Sequence, residues 1–155
     1  MRVWRLCSRK HAATAFDGEG ARRYGGRWNP PGVAVVYTAG TLSLAALELL
    51  VNLGSPGDAG DLVAVPAEVP DTLAIEVVQV IDLPRAWRDY PAPAALPALG
   101  ARWVQEARSV VLSVPSVVIP GERNFVLNPA HPRFKGVRPG KPERFAFDPR
   151  VWKKS

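Results

Sequence analysis

The sequence has few of the residues that build disulfide frameworks and metal sites. Its 155 residues include one cysteine, Cys7, and two histidines, His11 and His131. A single cysteine cannot form an intrachain disulfide, so a reducing compartment, the cytoplasm, is expected. These three residues lack the number and spacing of a zinc site, and no metal is expected.

Long apolar runs are missing too. The longest apolar tract, residues 42–53, is interrupted by Ser43, Glu48 and Asn52. It is shorter than the roughly 20 residues that a membrane-spanning helix needs. The N-terminal stretch "MRVWRLCSRKH" has no continuous apolar run behind its positive charges, unlike a secretory signal. We expect no membrane association.

Several nucleotide-binding and catalytic motifs are absent. The chain contains neither GxGxxG nor GxxxxGK[ST], which excludes a Rossmann fingerprint and a P-loop. No nucleophile-elbow pattern surrounds Ser116, and only two histidines exist, so a serine-hydrolase triad has little support. The chemistry must come from other residues.

Positive charge is abundant. Twenty Lys and Arg residues oppose fourteen Asp and Glu residues, which gives a net charge of +6. This excess favours an anionic partner, which could be nucleic acid, a phosphate-bearing small molecule or an acidic protein. The basic residues are dispersed before a basic tail from Arg133 to Lys154, so a solvated surface explains many of them equally well.

Periodicity and turn residues predict a single domain, residues 1–155, of the α+β class. Strands are predicted at 3–7, 33–38, 62–68, 73–82, 109–119, 124–127 and 144–147. Helices are predicted at 42–53, capped by Thr41 or Ser43 and closed by Gly54, and at 98–107. Residues 16–28 are predicted as a glycine-rich loop, and 84–97 as irregular. Bunched strands with few short helices predict a split or bent mixed β-sheet.

Glu48 lies in the apolar stretch "LSLAALELLV". An ionised carboxylate is costly to bury without hydrogen bonds or a positive partner, so it should lie at an opening in the core. The alternative is an exposed edge of the helix facing water, which periodicity alone slightly favours.

Arg27 and Tyr37 flank a turn with the sequence Asn29-Pro30-Pro31-Gly32. Arg27 lies in a glycine-rich loop, and its planar guanidinium suits phosphate or carboxylate; a structural ion pair, possibly with Glu48, is the alternative. Tyr37 ends a predicted strand and offers an aromatic face with a hydroxyl, although most tyrosines at such positions belong to the core.

Polar residues also follow the later strands. Ser116 lies within the apolar "SVPSVVIP", where its hydroxyl must find a partner that a backbone carbonyl could supply. Asn124, Asn128 and His131 occur in "GERNFVLNPAHPRF", where prolines stiffen the backbone. Such rigid polar loops often line sites, but turn-forming asparagines look the same.

Three blocks of sequence together resemble the RES domain family, toxins of bacterial toxin–antitoxin pairs. They are "GGRWNPPGVAVVYTA", "LSLAALELLV" and "VPSVVIPGERNFVLNPAHPRF", and they span residues 25–134. The resemblance places the family's arginine on Arg27, its tyrosine on Tyr37, its glutamate on Glu48 and its serine on Ser116. Asn124 falls on a position expected to support the pocket.

The resemblance implies an ADP-ribosyltransferase-like fold and degradation of NAD+, which is a substrate and not a cofactor. Glu48 and Arg27 would be catalytic, and Arg27, Tyr37, Ser116 and Asn124 would bind the substrate. Activities in the family include hydrolysis, phosphorolysis and transfer of ADP-ribose to a cellular protein. The implied partner is an antitoxin with an Xre-like helix-turn-helix domain, in an oligomeric complex without direct nucleic-acid binding by the toxin.

Two other function classes stay open from the residues alone. The charge and the tryptophans would suit a basic nucleic-acid-binding module. A non-catalytic protein-binding domain would show neither NAD+ turnover nor nucleic-acid binding.

Overall fold

An eight-stranded mixed sheet dominates the computed structural model, which describes residues 1–153. Lys154, the predicted end of the basic tail, lies outside the described residues. The strands are β1 Arg2–Ser8, β2 Val36–Ala39, β3 Leu62–Glu68, β4 Ile75–Val77, β5 Val111–Pro115, β6 Arg123–Leu127, β7 Arg138–Pro139 and β8 Glu143–Phe145.

The sheet is divided between β1 and β2. It runs β4-β5-β6-β2-β1-β3-β7, and β8 also pairs with β3. Only β4 and β5 are parallel, and every other pairing is antiparallel. β1 pairs with β3 along its whole length but meets β2 only through Trp4 and Ala39. The predicted α+β class with a split, mixed sheet is confirmed.

Four short helices accompany the sheet: α1 Glu19–Tyr24, α2 Leu42–Leu50, α3 Pro56–Ala59 and α4 Ala95–Glu106. α4 packs Leu96 and Trp103 against Leu112, Val114 and other residues of β5 and β6. Trp103 is fully buried, and its indole N–H donates to Ser109 Oγ at 2.8 Å. The core on this side therefore holds β5 and β6 in a fixed position.

The prediction of a loop at residues 16–28 is wrong in part, because α1 lies within it. Asp17 Oδ1 accepts the Glu19 backbone N–H at 2.8 Å and so satisfies a donor at the start of the helix. Glu19 then pairs with Arg22 and Arg23, three and four residues on, which are neighbours on a helix surface.

The predicted strand at 73–82 is mostly wrong. Only Ile75–Val77 pair as β4, and Val80–Asp82 form a 3₁₀ turn. The β-branched residues suggested a long strand, yet Val80 and Ile81 are exposed and lie beyond the last residue that pairs with β5.

Other element boundaries also differ. The strand predicted at 109–119 ends at Pro115, and β2 begins at Val36 because residues 33–35 find no partner strand. α2 stops at Leu50. α4 begins at Ala95 because Pro97 falls in its first turn, where no backbone N–H is needed. The sequence reading missed α3 and β7.

No helix within residues 1–153 is long and apolar enough to cross a membrane.

Candidate functional site

A cleft of about 1220 Å³ opens beside α2, where the sheet divides. Arg27, Tyr37, Glu48 and Asn124 are among the residues that line it. A smaller hollow of about 450 Å³ lies beside Phe16 and is lined only by residues without ionisable side chains. The larger cleft is therefore the candidate for chemistry.

α2 presents Glu48 to the cleft. Thr41 caps the helix, since its Oγ1 accepts the Leu44 N–H at 3.1 Å. Leu44 and Ala45 are buried against the sheet. Four residues of α2 and its end that line the cleft are spaced for one helix face, Ala45, Glu48, Leu49 and Asn52, and Val51 lines the cleft beside them. The carboxylate is half-buried at an opening in the core, as one of the two sequence interpretations expected.

Two side chains fix the Glu48 carboxylate. Ser116 Oγ donates to Glu48 Oε1 at 2.7 Å, and Asn124 Nδ2 donates to the same oxygen at 2.6 Å. Hydrogen bonds to a charged acceptor are stronger than neutral ones. Oε2 accepts no hydrogen bond from any side chain or backbone group of residues 1–153. One oxygen is anchored, and the other is left for a ligand.

Ser116 is oriented by the turn that follows β5. Its Oγ accepts the backbone N–H groups of Val118 at 3.1 Å and Ile119 at 3.0 Å. Because both acceptor sites of the hydroxyl are taken, its one proton points to Glu48. Ser116 is fully buried and lies behind the carboxylate. Its predicted contact with substrate stays a prediction.

Two buried side-chain polar atoms within residues 1–153 have no hydrogen-bond partner, and both belong to residues that line the cleft. They are Asn124 Oδ1, an acceptor, and Arg5 Nε, a donor. Buried polar groups are nearly always paired, so each unpaired one requires an explanation. The Asn124 amide thus donates to Glu48 through Nδ2, and its Oδ1 is available to accept a hydrogen bond from a ligand in the cleft.

Tyr37 holds the loop that carries Arg27. Its hydroxyl accepts the Trp28 N–H at 3.1 Å and donates to Asn29 Oδ1 at 2.6 Å. A Cβ on Gly26 would lie 2.6 Å from this hydroxyl, so only glycine allows the close approach. Burial raises the pKa of Tyr37 well above its usual value. Tyr37 therefore braces this loop through its hydroxyl and also lines the cleft.

Arg27 extends from this loop to the segment that contains Trp87 and Asp89. Its Nη1 donates to the carbonyl oxygens of Trp87 at 2.6 Å and Asp89 at 3.0 Å. Partial burial lowers the pKa of Arg27, and the Glu48 carboxylate opposes that shift. No ion pair within residues 1–153 joins Arg27 to Glu48, so the guanidinium is close enough to feel the carboxylate without being neutralised by it.

The structure thus gathers all five predicted site residues at one place. Arg27, Tyr37, Glu48 and Asn124 line the cleft, and Ser116 backs the carboxylate. Asn128 and His131 lie elsewhere: Asn128 Oδ1 accepts from Ala130 N at 3.0 Å, and His131 Nδ1 from Arg133 N at 3.0 Å. Their polar loop is explained by its own turns.

Sequence reasoning missed Arg5 and Arg88 as cleft residues. Arg5 is largely buried on β1, donates to the Tyr37 carbonyl at 3.0 Å, and burial lowers its pKa. A charged residue in the apolar strand "VWRLC" was the available signal. Arg88 is exposed, and its Nη2 donates to the Val117 carbonyl at 3.2 Å. Only the fold brings Arg88 to the cleft.

No group of three His, Cys, Asp or Glu side chains that could hold a metal ion occurs within the part of the chain that the structure describes.

Known proteins similar to this chain are toxins. The RES domain family matches residues 2–148. The Prs ADP-ribosylating toxin of Sphingobium is 40% identical over 156 residues, covering 98% of this chain and 97% of the relative. Toxin Res of Yersinia enterocolitica is 38% identical over 152 residues, covering 97% and 99%.

A solved structure shares the fold. The crystal structure of the Mycobacterium tuberculosis MbcT–MbcA toxin–antitoxin complex contains a chain that superposes with a TM-score of 0.75 at 19% identity. The match covers 97% of this chain and 86% of the other.

Proposed function

The chain belongs to the RES domain family, and on that premise we propose that it is an enzymatic toxin that degrades NAD+ by cleaving the nicotinamide–ribose bond. NAD+ is the substrate in this proposal, and no cofactor takes part.

The observation that carries the proposal is the anchored carboxylate of Glu48. Ser116 and Asn124 hold Oε1 from behind, at 2.7 and 2.6 Å, and Oε2 has no protein donor within residues 1–153. Such a carboxylate is preorganised, so it stabilises positive charge in the transition state without first having to reorient. An acceptor-only group suits a reaction in which cationic charge develops on the substrate.

Cleavage of NAD+ is such a reaction. The bond between ribose C1′ and the nicotinamide nitrogen breaks, and both of its electrons leave with nicotinamide, which becomes neutral. The ribose is left as an oxocarbenium-like cation, which the Glu48 carboxylate stabilises or whose hydroxyls it holds. A nucleophile then forms the new bond at C1′.

The arginines suit the other part of the substrate. The charged side chains that line the cleft are Glu48 and three arginines: Arg5, Arg27 and Arg88. Among residues 1–153, Arg27 forms hydrogen bonds only through Nη1, so its other N–H groups are available to bind pyrophosphate oxygens in this proposal. In this proposal Tyr37 contacts the nicotinamide or its ribose, and Ser116 and Asn124 act by positioning Glu48.

The nucleophile that receives ADP-ribose distinguishes three activities. Water gives free ADP-ribose and a proton, phosphate gives the 1-phosphate ester, and a protein side chain gives a modified protein. The Sphingobium relative is named an ADP-ribosylating toxin, which supports the last of these for this chain as well. We propose glycohydrolase or phosphorylase activity first, and protein modification as the alternative.

The proposal includes a protein partner. The solved structure with this fold is a toxin–antitoxin complex, which supports an antitoxin for this chain. We propose an antitoxin with an Xre-like helix-turn-helix domain whose end covers the cleft, in a cytoplasmic assembly with more than one toxin copy.

The test is to incubate the purified chain with NAD+ and measure nicotinamide release by chromatography, with and without phosphate. Glu48→Gln is the matched control, because it keeps the size of the side chain and removes its charge. We expect release by the wild type and a loss of about 10²–10³-fold or more in the variant. Intact NAD+ after incubation with the wild type would contradict the proposal.

The uneven distribution of charge supports a second candidate. Residues 1–132 contain twelve Lys and Arg and twelve Asp and Glu, whereas residues 133–155 contain eight and two. The entire surplus of +6 thus follows the cleft residues in sequence, and a basic segment of this kind suits a nucleic-acid backbone. A salt-sensitive mobility shift of RNA or DNA, undiminished by Glu48→Gln, would favour this candidate.

A further inference from the structure

The mouth of the cleft carries two exposed tyrosine rings. The chain has three tyrosines, and the buried Tyr37 is accounted for by its hydrogen bonds. The side chains of Tyr24 and Tyr90 are 83% and 90% exposed, and both residues line the cleft. A free tyrosine presents a large apolar face, whose burial by a ligand would be favourable.

Arg27 connects the two segments that carry these rings. Tyr24 precedes Gly25, Gly26 and Arg27 directly in sequence. Tyr90 follows Asp89, whose carbonyl accepts from Arg27 Nη1 at 3.0 Å. Tyr24 is therefore three residues from Arg27 in the chain, and Tyr90 is next to a residue that Arg27 binds.

The faces of both rings are unpartnered. The aromatic contacts within residues 1–153 join Phe145 to Phe147 and Phe147 to Trp152, and neither tyrosine takes part. Within residues 1–153, the hydrogen bonds of tyrosine hydroxyls are those of Tyr37 alone. Nothing in the fold explains why two of three tyrosines stand exposed at one opening.

Exposure divides the cleft residues that would meet a dinucleotide into two groups. Glu48 and Arg27 are both half-buried, whereas Tyr24 and Tyr90 are exposed. A substrate with its reacting ribose at Glu48 and its pyrophosphate at Arg27 would leave its second nucleoside at the mouth. Adenine is a planar base, and planar bases stack on aromatic side chains.

We propose that Tyr24 and Tyr90 form a base-binding subsite that stacks the adenine ring of the dinucleotide. The inference rests on the proposed function, since it assigns the far end of the same substrate. The subsite adds affinity and takes no part in bond cleavage, so the tyrosines are binding residues and not catalytic ones.

Direct binding tests the subsite without any turnover. ADP contains the base and the pyrophosphate, and inorganic pyrophosphate lacks the base. We expect Tyr24→Ala and Tyr90→Ala each to weaken ADP binding by roughly 5- to 150-fold, the range for loss of one base–aromatic stack. Pyrophosphate affinity should stay unchanged, and Tyr24→Phe and Tyr90→Phe should bind ADP as the wild type does.

Calorimetric titration of the full chain with the two probes gives these affinities. Equal ADP affinity in wild type and alanine variants would overturn the inference, as would equal losses for ADP and pyrophosphate. Failure of the wild type to bind ADP would overturn it too. Both rings are exposed, so the alanine variants are expected to fold, and their circular dichroism spectra check this.

Turnover separates the two proposals. If the wild type releases nicotinamide, the alanine variants should show a raised KM for NAD+ at nearly unchanged kcat. If the wild type releases none, the proposed function has failed, and the ADP titrations still decide whether the base-binding subsite exists.

Discussion

The inner and outer ends of the cleft are built differently. At the inner end, Ser116 is fully buried, and its hydroxyl accepts two backbone N–H groups and donates its one proton to Glu48. At the outer end, Tyr24 and Tyr90 are exposed, and Arg27 holds a loop through two backbone carbonyls. At the inner end, hydrogen bonds hold the Glu48 carboxylate in one position. At the outer end, N–H groups of Arg27 and the ring faces of Tyr24 and Tyr90 have no partner within residues 1–153. The two proposals therefore place bond cleavage at the inner end and much of the substrate affinity at the outer end.

Removing the donors to Glu48 should produce the largest effect after loss of Glu48 itself. Ser116→Ala or Asn124→Ala deletes one of two hydrogen bonds to a charged oxygen, each worth about 1.5–3 kcal/mol. We expect nicotinamide release to fall by ~10- to 150-fold in kcat, with little change in KM.

Steady-state kinetics at saturating and limiting NAD+ check this, and Thr14→Ala serves as a control at an exposed hydroxyl outside the cleft. If the Ser116 and Asn124 variants raised KM and kept kcat, these residues would bind substrate directly and would not position Glu48.

The next largest effect should come from weakening the packing of α4 on the loop that carries Arg27 and Trp28. α4 packs on this loop at Gly100, where an added Cβ would overlap the Trp28 carbonyl oxygen. Because the overlapping atom belongs to the backbone, α4 or the loop must shift, and Gly100→Ala should lower the free energy of unfolding by about 1–3 kcal/mol.

Urea denaturation measures the change. Gly20→Ala, also within a helix but with open space around it, is the matched control and should not destabilise the chain. Equal stability of both variants would mean that α4 and the loop separate easily.

Replacing Arg27 by lysine should have a smaller effect. A guanidinium can donate to the Trp87 and Asp89 carbonyls and still present N–H groups to an anion, whereas an ammonium offers three donors at one point. We expect the KM for NAD+ to rise about tenfold, with a smaller change in kcat.

Initial rates over a range of NAD+ concentrations separate these quantities. A fall in kcat at constant KM would place Arg27 with the inner end instead.

The smallest predicted effect concerns Tyr37 at alkaline pH. An unfolded tyrosine ionises near pH 10, but burial keeps Tyr37 protonated in the native state above that pH. The native state then binds more protons than the unfolded state, so stability falls as pH rises above about 10. For one group the slope reaches about 1.4 kcal/mol per pH unit.

Tyr37→Phe should remove this part of the slope, although it also loses the bonds to Trp28 and Asn29. Denaturation curves at several pH values between about 9 and 11 give the slopes. Tyr24→Phe is the control, since Tyr24 is exposed in the native state. A parallel alkaline loss in wild type and the Phe variant would show that Tyr37 ionises freely.

Local sequence signals predicted the helix that carries Glu48 and the strand β3 better than they predicted the segment 73–82 and α1. The Thr41 cap and the apolar run of α2 predicted the helix that carries Glu48, and β3 has the predicted bounds Leu62–Glu68. The strand predicted at 73–82 was mostly wrong because Val80 and Ile81 are exposed in a 3₁₀ turn, which composition cannot reveal. α1 was missed because the Asp17 acceptor at its start and the Glu19 ion pairs outweigh its glycine content.

The sequence by itself determined the local geometry: a capped helix presenting a carboxylate, and a Gly25–Gly26 loop that admits the Tyr37 hydroxyl. Only the tertiary structure decided what surrounds Glu48. Its donors lie 68 and 76 residues further along the chain, and Arg27 reaches carbonyls 60 and 62 residues away. Side chains so far apart meet only where strand pairing and core packing bring them, and no local pattern encodes that distance.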